Sequence, residues 1–247
     1  MMLPDHAEVV HDFAAFGVIA FTTTRAFGSL STESSEPASA VMQRWDTVRD
    51  VARSVGVERF ATAHQVHGAR VIVHHGGWRG WLREADADGH FVLNRDTAFG
   101  VSIADCVPVF IAHASGAIAL LHSGWRGTEA RIVEQGIAAF TACGLSAGEL
   151  RMHLGPAICG KCYEVSADVA SRVLRRSVTA SMTVDLRALI ADLARSFGVR
   201  EITTSDKCTN CDNDRFFSHR AGDAGRQLAV IFASGRTEPR ENVPAFS

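Results

Sequence analysis

Three apolar, β-prone runs crowd together in the middle of the chain, at residues 99–103, 107–112 and 118–122. Each is shorter than an ordinary helix and rich in Val, Ile, Phe or Leu, so each reads as a strand. Strands separated by such short breaks pair most simply in a largely antiparallel sheet. The breaks also carry two metal-ligand residue types. Cys106 stands in Ile103-Ala-Asp-Cys-Val-Pro-Val-Phe110, and His122 in Leu121-His-Ser-Gly-Trp-Arg-Gly127.

The flanking chain supplies helices as well as strands. Strands are expected at 18–24, 60–66, 70–75, 151–154 and 226–232, where β-branched or alternating apolar residues gather. A helix is predicted over 41–55, with Trp45, Val48, Val51 and Ala52 on one face, and another over 129–143, with Ile132, Val133, Ile137 and Phe140 at helical spacing. Asp185 caps a third, patterned by Leu186, Leu189, Ile190, Leu193 and Phe197 and closed by Gly198. The Ser/Thr/Glu/Pro stretch at 29–39 reads as a mobile loop, and the tail after Gly235 as loosely held. No repeat or linker divides the chain. The expectation is one α/β (α+β) domain over 1–247, with mixed, largely antiparallel sheets.

Length and charge narrow the function classes. A chain of 247 residues can bury a substantial core, and 47 % hydrophobic with 21 % charged residues suits a globular enzyme. A net charge of −2 argues against a nucleic-acid footprint, and Arg172-Val-Leu-Arg-Arg176 reads as the solvated face of a helix. No apolar run reaches the roughly 20 residues that span a bilayer, and the start of the chain lacks the pattern of a signal peptide. A cytoplasmic, reducing location is therefore expected. There the six cysteines read as metal-binding, catalytic or buried thiols before disulfides.

His67, in His64-Gln-Val-His-Gly68, lies past another strand-like run and can complete a His₂Cys set with Cys106 and His122. Three protein ligands leave the fourth zinc position open, which marks chemistry rather than a structural clip. Taken singly, the cysteine also fits a buried thiol and each histidine a hydrogen-bonded side chain. A second pattern, Cys159-Gly-Lys-Cys162 with Cys208-Thr-Asn-Cys211, has the spacing of a Cys₄ zinc ribbon. The 45 residues between the pairs hold an amphipathic helix, unlike a ribbon's compact loop, so structural thiols are preferred there. The amides of Gly124-Trp-Arg-Gly127 could face an anion, with Arg126 and Arg25 as side-chain partners for phosphate or carboxylate. A surface ion pair is the plainer role for Arg126, and Trp125 can stack on a base or belong to the core.

Taken in order, several segments resemble the YfiH-like family, long called laccase-domain or multicopper polyphenol-oxidase-like proteins. They are Gln65-Val-His-Gly68, Ala104-Asp-Cys-Val-Pro108, His122-Ser-Gly-Trp-Arg-Gly127, Gly155-Pro-Ala-Ile158 with Tyr163-Glu-Val165, Cys208-Thr-Asn-Cys211 with Phe216-Phe-Ser218, and Arg226-Gln227. They extend over about 18–232. The resemblance implies a domain of mixed sheets layered between helices, metal ligands at His67, Cys106 and His122, and no zinc clip from the later cysteines. It also implies zinc-dependent phosphorolysis of purine nucleosides such as adenosine, inosine or methylthioadenosine, with adenosine deamination at the same site. Purine nucleoside and phosphate are then the partners, with Asp105 and His219 as candidate helpers, although fixing its own loop is the plainer role for Asp105. Two segments depart from the pattern: Ala26-Phe-Gly28 stands where the family carries Gly-Gly, and Phe216-Phe-Ser-His-Arg220 has His219 in place of a tyrosine.

Three other classes compete. A copper-dependent polyphenol oxidase fits the old family name, and copper can occupy a His₂Cys set. A trinuclear copper centre, however, needs His-X-His pairs, and the 11 histidines form none. A metal-free cysteine hydrolase would use Cys106 as nucleophile and His122 as base, leaving His67 idle. A binding module leaves the open ligand set unexplained.

Overall fold

The computed structural model describes residues 6–31 and 36–234. The expected tail after Gly235 lies outside the described residues, as do residues 32–35 of the expected 29–39 loop. In chain order the strands are β1 (Ala7–Val10), β2 (Val18–Thr23), β3 (Arg59–Ala63), β4 (Val71–Val73), β5 (Gly80–Glu84), β6 (Gly89–Val92), β7 (Thr97–Ile103), β8 (Val107–Ala112), β9 (Ile118–Ser123), β10 (Arg151–Leu154), β11 (Glu164–Val165), β12 (Met182–Thr183), β13 (Glu201–Thr204) and β14 (Gln227–Ala233). The α-helices are α1 (Ala38–Arg53), α2 (Trp125–Glu129), α3 (Ile132–Ala142), α4 (Ala167–Leu174) and α5 (Leu186–Ser196). Among the described residues, no helix is long and apolar enough to cross a membrane.

Two six-stranded mixed sheets form, in the orders β1-β2-β14-β7-β3-β5 and β13-β10-β8-β9-β6-β4. Strand alternation decides what lies between them. In β7, Phe99, Val101 and Ile103 face the second sheet, where Phe110, Ala112, Ile118 and Leu120 point back at them. The opposite face of β14 offers Leu228, Val230 and Phe232 to α1, which buries Val41, Trp45, Val48, Val51 and Ala52. On the far side, Val107, Val109, Ile111, Ala119 and Leu121 pack under α3 and α5. The result is helix, sheet, sheet, helices. The layering and the mixed sheets agree with expectation, and among the described residues only the β7–β3, β3–β5, β13–β10 and β6–β4 strand pairs run parallel.

Two expectations need correction. The runs at 99–103 and 107–112 are not neighbours in one sheet: β7 lies in the first and β8 in the second. The break between them is a sheet-to-sheet corner, turned at Asp105 with φ 83°. The Asp105 carboxylate pins that corner by accepting from the Thr209 hydroxyl (2.6 Å) and the Arg220 amide (2.7 Å). The expected 129–143 helix is split, because Arg131 adopts φ 61° between α2 and α3. Helix α5 follows expectation, with the Asp185 carboxylate accepting from the Ala188 amide at 3.1 Å.

Inside the sandwich, His74 and His90 share a hydrogen bond of 2.9 Å and pack on Phe99. Burial, with the charges of His75 and Arg59, lowers His74 to about 4. Burial and the charge of His74 lower His90 to about 3, although Asp88 pulls the other way. Both rings are neutral in the fold but take up protons near pH 6.5 once unfolded. Their contribution is therefore complete above pH 6.5 and is lost as pH falls toward 4 and 3. Stability should drop by about 1.4 kcal/mol per pH unit per histidine in that window. Urea denaturation across pH 7 to 4 tests this. The slope should flatten in a His74→Gln/His90→Gln variant, and an unchanged slope would contradict it.

Candidate active site

Three chain segments meet at one edge of the sandwich. The loop after β3 brings His67, the corner after β7 brings Cys106, and the end of β9 brings His122. Their ligating atoms lie within 4.8 Å of one another, and the two imidazoles meet edge to face with centroids 4.8 Å apart. A zinc tetrahedron with arms of about 2.0–2.3 Å places its ligand atoms roughly 3.3–3.8 Å apart. The trio is thus spaced for a small contraction onto a cation. Gly124 holds the opposite side: a Cβ there would come within 2.8 Å of the Cys106 sulfur and 3.4 Å of the His67 ring.

Asp88, wholly buried, organises two of the three segments. Its carboxylate accepts from the amides of Val66 (3.2 Å), His67 (3.0 Å) and Gly68 (2.7 Å), closing an anion nest around itself. His67 sits at φ 59° within that nest. The same carboxylate engages His122 Nδ1 at 2.8 Å, and the Asp88 carbonyl accepts from the His122 amide at 2.7 Å. That leaves His122 Nε2 as the ring nitrogen for a ligand, the orientation a metal-binding histidine requires. Burial raises the Asp88 carboxyl, but the His122 hydrogen bond and the Gly68 and His67 amides outweigh it and hold it below the usual carboxylate range.

Charge at the centre follows the same logic. Burial works against a Cys106 thiolate, yet the positive charge and hydrogen bonds from His122 and His67 prevail and bring it to about 6. Burial likewise opposes an imidazolium at His122, while Cys106 and Asp88 lift it to about 9. A thiolate is therefore the favoured form of Cys106 at neutral pH, as both a metal ligand and a nucleophile demand.

The trio opens into a cavity of about 660 Å³, the size of a small-molecule site. Gln65, Trp125, Arg126, Tyr163, His219 and Arg220 contribute to its wall. Arg126 lies over the Trp125 ring at 4.4 Å and, among the described residues, pairs with no carboxylate. Burial and the negative charge of Cys106 push the Tyr163 phenol up to about 12, so it stays a donor. Gln65 is fixed by an amide clasp to β7: it donates to the Ser102 carbonyl (2.8 Å) and accepts from the Ser102 amide (2.7 Å).

The structure thus brings His67, Cys106 and His122 together, with Arg126, Asp105 and His219 on the same cavity. Asp105 spends both carboxylate oxygens on its corner. Arg25 does not line the cavity; it donates to the carbonyls of Asn213 (2.8 Å) and Phe216 (3.1 Å) and pairs with Asp223 (2.5 Å). The Gly124–Gly127 segment leads, with Gly124 as N-cap, into the five-residue helix α2. Sequence reasoning missed Asp88, which carried no signal beyond an acidic residue before a strand. It also set aside the four later cysteines, which the structure gathers into one cluster with all sulfurs within 4.8 Å of one another.

Known proteins resemble this chain over most of its length. A purine nucleoside phosphorylase of Mycobacterium tuberculosis is 33 % identical over 192 residues, covering 74 % of this chain and 76 % of that protein. The adenosine deaminase RL5, from an unknown prokaryotic organism, is 32 % identical over 149 residues, 54 % of this chain and 57 % of that protein. The crystal structure of YlmD from Geobacillus stearothermophilus shares the fold at a TM-score of 0.83 and 23 % identity, covering 94 % of this chain and 98 % of that one. The family described as multi-copper polyphenol oxidoreductase laccase matches residues 22–234, and with that match the chain belongs to this YfiH-like family.

Proposed function

We propose that the chain is a metal-dependent purine nucleoside phosphorylase that also deaminates adenosine at the same site. The observation that carries this reading is the convergence of His67, Cys106 and His122 on one nucleoside-sized cavity. The names of relatives at 31–33 % identity point the same way. Two imidazoles and a low-pKa thiol, with Asp88 fixing the tautomer of one ring, suit zinc, and divalent copper can compete for the same set. When bound, such a cation supplies Lewis acidity and positive charge at the cavity floor.

The protein's own groups can do the rest of the work. In phosphorolysis a phosphate oxygen bonds to C1′ while the C1′–N9 bond breaks and the purine leaves with the electron pair. Arg126, which among the described residues has no carboxylate partner, presents a planar fork to the phosphate. Tyr163, held protonated, and His219 stand on the wall as candidate donors to the departing base. Asp105 acts by holding the Cys106 corner.

The test is product analysis. Metal-loaded protein incubated with adenosine should release adenine and ribose 1-phosphate only when phosphate is present, and inosine with or without it. A fully loaded protein that turns over neither adenosine, inosine nor methylthioadenosine would overturn the proposal.

One second reading has an observation of its own. Cys106, His122 and Asp88 stand in the order of a nucleophile, a base and the carboxylate that orients the base. That arrangement permits a metal-free cysteine hydrolase and leaves His67 no part beyond helping to lower the Cys106 thiol.

A further inference from the structure

The cluster of Cys159, Cys162, Cys208 and Cys211 belongs to neither the trio nor the cavity wall. We propose that these four cysteines form a closed tetrathiolate metal site, taking zinc or another thiophilic cation, that clips together the two loops behind the Cys106 corner.

The fold explains how two cysteine pairs with 45 residues between them can share one ion. Strands β10 and β13 are parallel neighbours, ending at the Leu154↔Thr204 pair, so both following loops leave the sheet side by side. The pairing continues into them through the Ala157↔Cys208 bridge, with the Thr209 amide donating to the Ala157 carbonyl at 3.2 Å. The intervening α4 and α5 pack against the main helical core, so the long excursion returns the chain to its starting point.

Each Cys-X-X-Cys segment is then folded as a tight turn. The Cys162 amide donates to the Cys159 carbonyl (3.0 Å), and the Asp212 amide to the Cys208 carbonyl (2.8 Å). Two further amides point at one sulfur: Cys159 and Cys211 donate to Cys208 Sγ at 3.2 and 3.4 Å. Amide donors aimed at sulfur are the contacts that a metal-bound cysteine accepts. All four thiols are free, and Cys162 and Cys211 lie 3.4 Å apart, well beyond the roughly 2.05 Å of a disulfide bond. Four sulfurs around zinc at about 2.3 Å sit roughly 3.8 Å apart, a spacing the cluster meets with little movement. Four soft donors leave no open position and discriminate against calcium and magnesium, so the site is structural.

Its position shows what it holds. Thr209, inside the second pair, donates to Asp105 at the sheet corner, and the Cys162 carbonyl accepts from Arg220 at 3.2 Å. Tyr163 follows the first pair directly. The clip would therefore brace Cys106, Tyr163 and Arg220 from behind.

The experiment removes the other site first, so that it does not depend on the proposed nucleoside activity. Cys106→Ala/His122→Ala protein, purified under reducing conditions, should retain one equivalent of zinc per chain by elemental analysis. Replacement with cobalt(II) should give the intense visible bands of tetrahedral thiolate coordination. Adding Cys162→Ser/Cys211→Ser should abolish those bands and weaken binding by at least about a hundred-fold. Should that variant fail to fold, thiol-reagent counting on the Cys106→Ala/His122→Ala chain decides: four thiols protected until a chelator is added support the site. Five freely reactive thiols, or two disulfides isolated without metal, would overturn it.

Discussion

Replacing Asp88 by alanine should lower the unfolding free energy by about 3–5 kcal/mol, the cost of leaving buried polar groups without their charged partner. The carboxylate accepts from three consecutive amides and from the His122 ring, and it is fully shielded from water. Its removal strands four donors at once and releases the left-handed conformation at His67. Asparagine keeps the volume but offers only one acceptor oxygen; its NH₂ must face either the Val66 and Gly68 amides or His67 and His122. Asp88→Asn should therefore recover part of the stability while metal affinity and turnover stay roughly 10–100-fold down. Denaturant titration and metal content, measured on both variants, check this. A loss of less than about 1 kcal/mol for the alanine variant would show that the nest closes without its carboxylate.

The elements visible in the sequence were those whose patterns belong to one structure only. The run at 107–112 and the strand at 151–154 match β8 and β10 to the residue, because apolar or alternating stretches bounded by breaks have one reading. Asp185 before Leu186 announced α5 by its cap. Short polar strands left no such mark: Gly-Trp-Leu-Arg-Glu of β5 and Glu-Ile-Thr-Thr of β13 lie at sheet edges and bury little. The corner at Asp105 was hidden for a different reason. A hairpin and a crossing between stacked sheets both read as apolar run, break, apolar run, and only partners far along the chain, Thr209 and Arg220, select the crossing. The same limit applies to the candidate site. Residue type and position at strand ends singled out His67, Cys106 and His122, whereas the role of Asp88 depends on contacts to 66–68 and 122 that no local pattern encodes. The four-cysteine cluster was discounted on its long separation, yet separation along the chain is irrelevant once β10 and β13 run parallel.

Single alanine substitutions within the trio should separate the two chemical readings of this site, and their effects should be the largest on activity. In a metal site each ligand fixes the same cation, so Cys106→Ala, His122→Ala and His67→Ala should each reduce nucleoside turnover by about a thousand-fold or more. Combining any two should cost little beyond one alone, because residues acting as a unit are not additive. Bound metal should fall with activity in all three. In a cysteine hydrolase the thiolate is the nucleophile and His122 its base, so only those two substitutions are severe. His67 contributes part of the charge and hydrogen bonding that lowers the Cys106 thiol. Its loss would then shift the pH dependence and leave most of the rate. The His67→Ala variant is accordingly the decisive one: inactivity with loss of metal supports the metal-dependent phosphorylase, while retained, metal-independent turnover that still requires Cys106 assigns the site to the hydrolase. His67 is the suitable residue to change because it is exposed and its backbone amide, held by Asp88, survives the substitution. The nest stays closed, and the measured effect reports on the imidazole alone.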